Sequence, residues 1–98
     1  MAVKVIVELR AKPGRRDELT NVLQMLMAEL GPALKEKGSL GGAFYEVVDD
    51  PDTLVEIADW ETTKARDAVM RDPATAEAMA PLLDLLAEPF KATVVQPA

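Results

Sequence analysis

The stretch GSLGGAFYEVVDDPDTLVEIADWETTKARDAVMRDP, from Gly38 to Pro73, decides the fold. A β-rich run from Gly42 to Val48 leads into Asp49-Asp50-Pro51-Asp52, and a second run extends from Thr53 to Trp60. Acids flanking a proline between two such runs are turn chemistry, so the segment predicts a β-hairpin. Its three aspartates lack the spaced ligands and distal glutamate of a calcium loop. The second run ends in Asp59-Trp60-Glu61, which holds the only tryptophan, and the chain turns there into a short helix capped by Thr62 or Thr63 and running to about Arg71. A large amphipathic ring at that position belongs on the seam between sheet and helices, where a ligand would sit.

Working outward toward the N-terminus, Val3, Val5, Val7 and Leu9 alternate with Lys4, Ile6, Glu8 and Arg10, the period of a half-buried strand. Lys12-Pro13-Gly14 stops it. Leu19, Val22, Leu23, Leu26 and Leu30 then recur at helical spacing, predicting a long helix over about 15–36 with a kink or restart at Pro32 and an end at Gly38. Beyond the hairpin, Asp72-Pro73 is an N-cap and first-position pair for another helix, whose apolar face is Ala76, Met79, Ala80, Leu83 and Leu86, with a kink at Pro81. Pro89 to Val95 reads as the last strand.

The order β-α-β-β-α-α-β predicts an α+β domain spanning residues 1–98, a ferredoxin-like four-stranded antiparallel sheet with its helices on one face. The other face would stand open, yet Ile6 and both sides of the hairpin are apolar. A second copy laid against that face would cover it, so a homodimer is expected.

Composition narrows the chemistry. Among 98 residues there is no cysteine and no histidine, which removes disulfides, thiol nucleophiles, imidazole bases and a histidine-ligated haem. A net charge of −6, with 11 basic residues dispersed among 17 acids, argues against nucleic acid, and Arg15-Arg16 reads as a solvated first helical turn. No apolar run is long enough to span a membrane and no secretory signal pattern opens the chain, so no membrane partner and a cytoplasmic location are expected.

Three groups of residues carry a resemblance: Val7-Glu8-Leu9-Arg10-Ala11-Lys12-Pro13-Gly14; Gly38-Ser39-Leu40 leading to Tyr45 and Asp49-Asp50-Pro51; and Asp59-Trp60-Glu61 followed by Ala65 and Asp72-Pro73. Together they resemble the antibiotic biosynthesis monooxygenase family over almost the whole chain. The resemblance implies a dimeric α+β barrel. It also implies cofactor-free oxygenation of a quinol-like or polyphenolic molecule by dioxygen, in an apolar cavity that Trp60 lines. The family also includes haem-degrading enzymes, an isomerase and small proteins with no known substrate. Several of its polar positions are changed here. Val69 stands where many members have a histidine, Gly42 where they have a tyrosine, Ala58 where they have a glutamate, and Val7 where the haem-degrading branch has an asparagine.

Such chemistry asks the protein to orient a ring, exclude water and help a proton leave. Trp60 offers a stacking face and an indole donor. If Val48 pairs with Thr53, then Tyr45 pairs with Glu56 and both share a face with Ala43 and Trp60, giving a base beside two donors; this is the expected register. A one-residue change would instead group Gly42, Phe44 and Glu46 with Trp60. The candidate catalytic residues are therefore Trp60, Tyr45 and Glu56, and the candidate substrate contacts are Gly42, Phe44, Trp60, Arg66, Val69 and Met70. No metal or cofactor site is expected. Each has a plainer reading: Trp60 as core or dimer interface, Tyr45 and Glu56 as a cross-strand pair, Arg66 as solvated, and Met25, Met27, Met70 and Met79 as core packing. A non-catalytic aromatic-binding protein and an interaction module with the same fold stand beside the oxygenase as function classes.

Overall fold

In this computed structural model, which describes residues 2–98, the chain runs β1 Val3–Arg10, α1 Arg16–Glu36, β2 Ser39–Glu46, β3 Thr53–Trp60, α2 Thr63–Arg71, α3 Pro73–Leu83 and β4 Lys91–Val95. The strands form one antiparallel sheet in the order β2-β3-β1-β4. This is the ferredoxin-like α+β arrangement expected from the sequence.

One face of the sheet carries the core. Val3, Val5, Val7 and Leu9 of β1 lie opposite Trp60, Ala58, Glu56 and Leu54 of β3, and this side packs on Leu19, Leu23, Val69, Leu82, Leu85 and Leu86. Fully enclosing a side chain such as Leu19, Leu54 or Val5 contributes about 1.5–3 kcal/mol each. The opposite face carries Ile6 against Ile57 and Tyr45 against Val55, bordered by the Lys4–Asp59 ion pair at 2.7 Å.

The hairpin register differs from the expected one by a residue. Glu46 pairs with Leu54, Tyr45 with Val55 and Phe44 with Glu56. Strand β2 accordingly occupies Ser39–Glu46 rather than Gly42–Val48, and Val48 is 97% exposed in the turn. The turn's own polar groups set this register. Val47 N donates to Thr53 O, the Asp50 carboxylate accepts from Asp52 N at 3.0 Å and Thr53 Oγ1 at 2.6 Å, and Asp52 accepts from Gly14 N at 3.1 Å. The Asp50 and Asp52 carboxylates thus serve the turn itself, and among the described residues no cluster of three or more acids is placed to hold a metal.

Arg16 completes the turn and departs from its reading as a solvated residue. Its Nη1 donates to Asp50 O at 2.8 Å and to Val47 O and Thr53 O at 3.4 Å, while Nη2 lies 2.9 Å from the Glu46 carboxylate. Arg15 is the solvated member, paired with Glu18 one turn on.

The helices follow their caps. Thr62 Oγ1 accepts from Ala65 N at the start of α2, and the Asp72 carboxylate accepts from Ala74 N at the start of α3. Helix α1 continues through Gly31-Pro32 without a restart; the carbonyl that Pro32 cannot bond belongs to Ala28, an exposed residue that water can serve. Helix α3 stops at Leu83, short of the expected Leu86. Leu85 and Leu86 instead fold back on the end of β1, held by Lys12 N to Leu85 O and Ala87 N to Arg10 O, which leaves Leu82 buried and Leu83 45% exposed. Strand β4 is correspondingly shorter than expected, starting at Lys91.

Candidate active site

Between the helix-facing side of the sheet and the three helices lies a cavity of about 740 Å³. Its floor is β-sheet: Val5 and Val7 of β1, Phe44 and Gly42 of β2, and Glu56, Ala58 and Trp60 of β3. Its roof is helical, with Leu26, Met27, Leu30 and Leu34 from α1, Arg66, Val69 and Met70 from α2, and Met79 and Leu82 from α3. Exposed lining residues, among them Met27, Leu40 and Gly42, set its mouth where the C-terminal half of α1 faces β2.

Two glycines shape that mouth. A β-bulge between Ser39 and Gly41 puts Gly41 at φ 94°, a conformation side-chain-bearing residues seldom adopt. Gly42 sits tight against β3, where an added Cβ would lie 2.8 Å from Ile57 O and 2.9 Å from Ala58 Cα. A tyrosine, which the family resemblance would put at this position, has no room without moving a strand.

Glu56 is the one carboxylate rooted in the floor. It stands between Val7 and Phe44, its cross-strand neighbours on either side. Burial pushes its carboxyl above the usual range, and the Arg66 guanidinium across the cavity pulls it partly back. The balance favours a group that holds its proton longer than a surface glutamate does, a property that suits a residue handling protons inside a cavity.

The structure brings together Gly42, Phe44, Glu56, Trp60, Arg66, Val69 and Met70 around one space. Tyr45 is not among them. With Phe44 opposite Glu56, the alternation of the strand sends Tyr45 to the other face, where it is 53% exposed. The Tyr45–Glu56 pairing read from the sequence is therefore replaced by Phe44–Glu56. Trp60 is only 7% exposed, packed between core and cavity at the end of β3. Met27, Met70 and Met79 line the cavity while Met25 is exposed to solvent, so the methionines do not act as a uniform core set. Sequence reasoning overlooked the α1 wall. Its signal was present in the stripe Leu23, Leu26, Leu30 and Leu34, which is longer than the contact with a narrow sheet requires.

No family model matches the chain, and no curated protein matches it in sequence. Solved structures do match, over nearly the full length of both partners. A Bordetella bronchiseptica protein provisionally named an antibiotic biosynthesis monooxygenase superposes with a TM-score of 0.86 at 19% identity, covering 99% of this chain and 97% of that one. Rv0793 from Mycobacterium tuberculosis gives 0.77 at 26% identity, covering 100% and 96%. SnoaB from Streptomyces nogalater, a cofactor-independent oxygenase represented by a mutant form, gives 0.78 at 16% identity, covering 98% and 92%. The chain thus has the ferredoxin-like fold of structures named as antibiotic biosynthesis monooxygenases, which supports the resemblance carried by its sequence.

Proposed function

We propose that the protein is a cofactor-free monooxygenase of an electron-rich hydroxylated aromatic, with Glu56 as the proton-handling residue and Trp60, Phe44, Val69 and Met70 as the walls that hold the ring. The observation that carries this reading is a single desolvated carboxylate in the floor of a predominantly apolar, ligand-sized cavity. The fold shared with SnoaB supports the same class of reaction.

The chemistry needs little else. Glu56 accepts the proton of a phenolic hydroxyl, and the resulting phenolate passes one electron to dioxygen. Superoxide couples to the ring radical at the carbon opposite the oxygen, giving a peroxide that Glu56 reprotonates. Loss of water leaves a quinone, so one oxygen atom enters the ring and the other leaves as water. Apolar walls keep bulk water from the radical pair and leave Glu56 as the local proton source.

Oxygen uptake with 1-naphthol and 1,5-dihydroxynaphthalene, whose ring carbon opposite a hydroxyl bears the hydrogen that the last step removes, tests the reading. Uptake above a protein-free control, with the quinone formed in proportion, is expected; rates equal to the control across the panel would sink it. Saturable quenching of Trp60 fluorescence without turnover would instead identify an aromatic-binding protein, the reading that the replacement of a family histidine by Val69 favours. The second copy expected from the sequence is part of the same proposal: its sheet would cover Ile6, Ile57, Val55 and Tyr45.

A further inference from the structure

We infer that Arg66 selects aromatic ligands bearing an anionic substituent such as a carboxylate; this deepens the reading above and rests on the cavity being a ligand site. The cavity's charge points this way. Its lining holds two cations, Lys35 and Arg66, and two acids, Glu56 and Glu61. Lys35 and Glu61 are exposed at the rim, while Arg66 and Glu56 are half-buried.

Among the described residues, ion pairs join Lys4 to Asp59, Arg15 to Glu18, Arg16 to Glu46 and Lys37 to Asp72, and neither Arg66 nor Glu56 takes part in one. Arg66 is therefore a guanidinium engaged with no carboxylate, on the wall of an apolar space, in a chain whose net charge is −6. Glu56 lines the same cavity but makes no ion pair with Arg66, so the hydrogen-bonding edge of the guanidinium is left open to a ligand. A ligand anion that reached Arg66 would give this guanidinium the carboxylate partner that the described residues do not supply. A guanidinium suits this role better than an ammonium: its planar fork meets a carboxylate with two parallel hydrogen bonds, and it is less costly to desolvate. The anion would sit on the α2 side and direct the aromatic body across the floor toward Glu56 and Trp60.

The test compares naphthoate with naphthamide, near-isosteres that differ in charge and undergo no oxidation, by quenching of Trp60 fluorescence in the 98-residue chain. Wild type is expected to bind naphthoate about tenfold more tightly than naphthamide, in keeping with a charge-assisted pair. Arg66→Gln should abolish that preference, weakening naphthoate about tenfold more than naphthamide, and Arg66→Lys should retain part of it. Equal affinities in wild type, absence of quenching by both compounds, equal loss of both in Arg66→Gln, or a preference that survives Arg66→Gln would each overturn the inference. Because neither probe reacts with oxygen, preference without oxygen uptake on any phenol would leave the selection by Arg66 standing and remove the oxygenase reading. Oxygen uptake with equal binding of both probes would do the reverse.

Discussion

Phe44 and Glu56 face each other across the β2–β3 ladder, both on the helix side of the sheet, so an apolar ring and a desolvated carboxyl share the cavity floor. Glu56→Gln keeps the shape and removes the base. Oxygen uptake on a reactive phenol should fall about a hundredfold or more, the usual share of a positioned proton acceptor, while naphthamide still quenches Trp60. Uptake within twofold of wild type would remove Glu56 from the reaction.

The same substitution has a signature in stability against pH. Unfolded, Glu56 titrates near its ordinary value of 4.5; burial raises it in the fold. Below about 4.5 both states carry the proton and the folded protonated form is at no disadvantage. As pH rises through the higher folded value, the folded chain must ionise a shielded carboxyl, and that stability is lost. Glu56→Gln should therefore melt near the wild-type temperature at pH 4 and above it at pH 8. A difference that is constant across this range would contradict the assignment.

Register supplies a second contrast. Tyr45→Phe, on the far face, should leave naphthamide binding and oxygen uptake within twofold of wild type. Phe44→Ala should weaken ligand binding and cost about 2 kcal/mol in chemical denaturation, less than a fully enclosed phenylalanine would. The reverse pattern would restore the register in which Tyr45 faces Glu56.

Gly42→Ala should cost about 2 kcal/mol despite the exposure of the site, because the new methyl meets backbone rather than a movable side chain. Urea midpoints measure it. A neutral result would show that β2 shifts freely against β3.

Ile57→Lys should convert any dimer to monomer in sedimentation velocity, since Ile57 pairs with Ile6 on the face without helices. A wild-type chain that already sediments as a monomer at micromolar concentration would dismiss the paired-sheet arrangement.

Much of the fold was legible because it rests on local chemistry. The alternation in Val3–Arg10, the Thr62 and Asp72 caps and the span Thr53–Trp60 all stand where periodicity and capping put them. The cavity was legible only through Trp60 and its neighbours. The register was not, because Gly42–Val48 is apolar on both faces and alternation cannot choose between them. The choice was made by Asp50, Arg16 and the Ser39–Gly41 bulge, the first two through backbone bonds and the third through an extra residue. Arg16 in particular looked like surface charge, since nothing in a run of two arginines and two acids shows that one of them reaches a turn 34 residues ahead.

That guanidinium also ties two distant parts of the folding route together. Carbonyls from Val47, Asp50 and Thr53 converge on a side chain at the first residue of α1, and its Nε has no acceptor of its own. The hairpin tip and the helix start must consequently lock as one cooperative unit, and amide exchange should register them opening together, ahead of the strands they border.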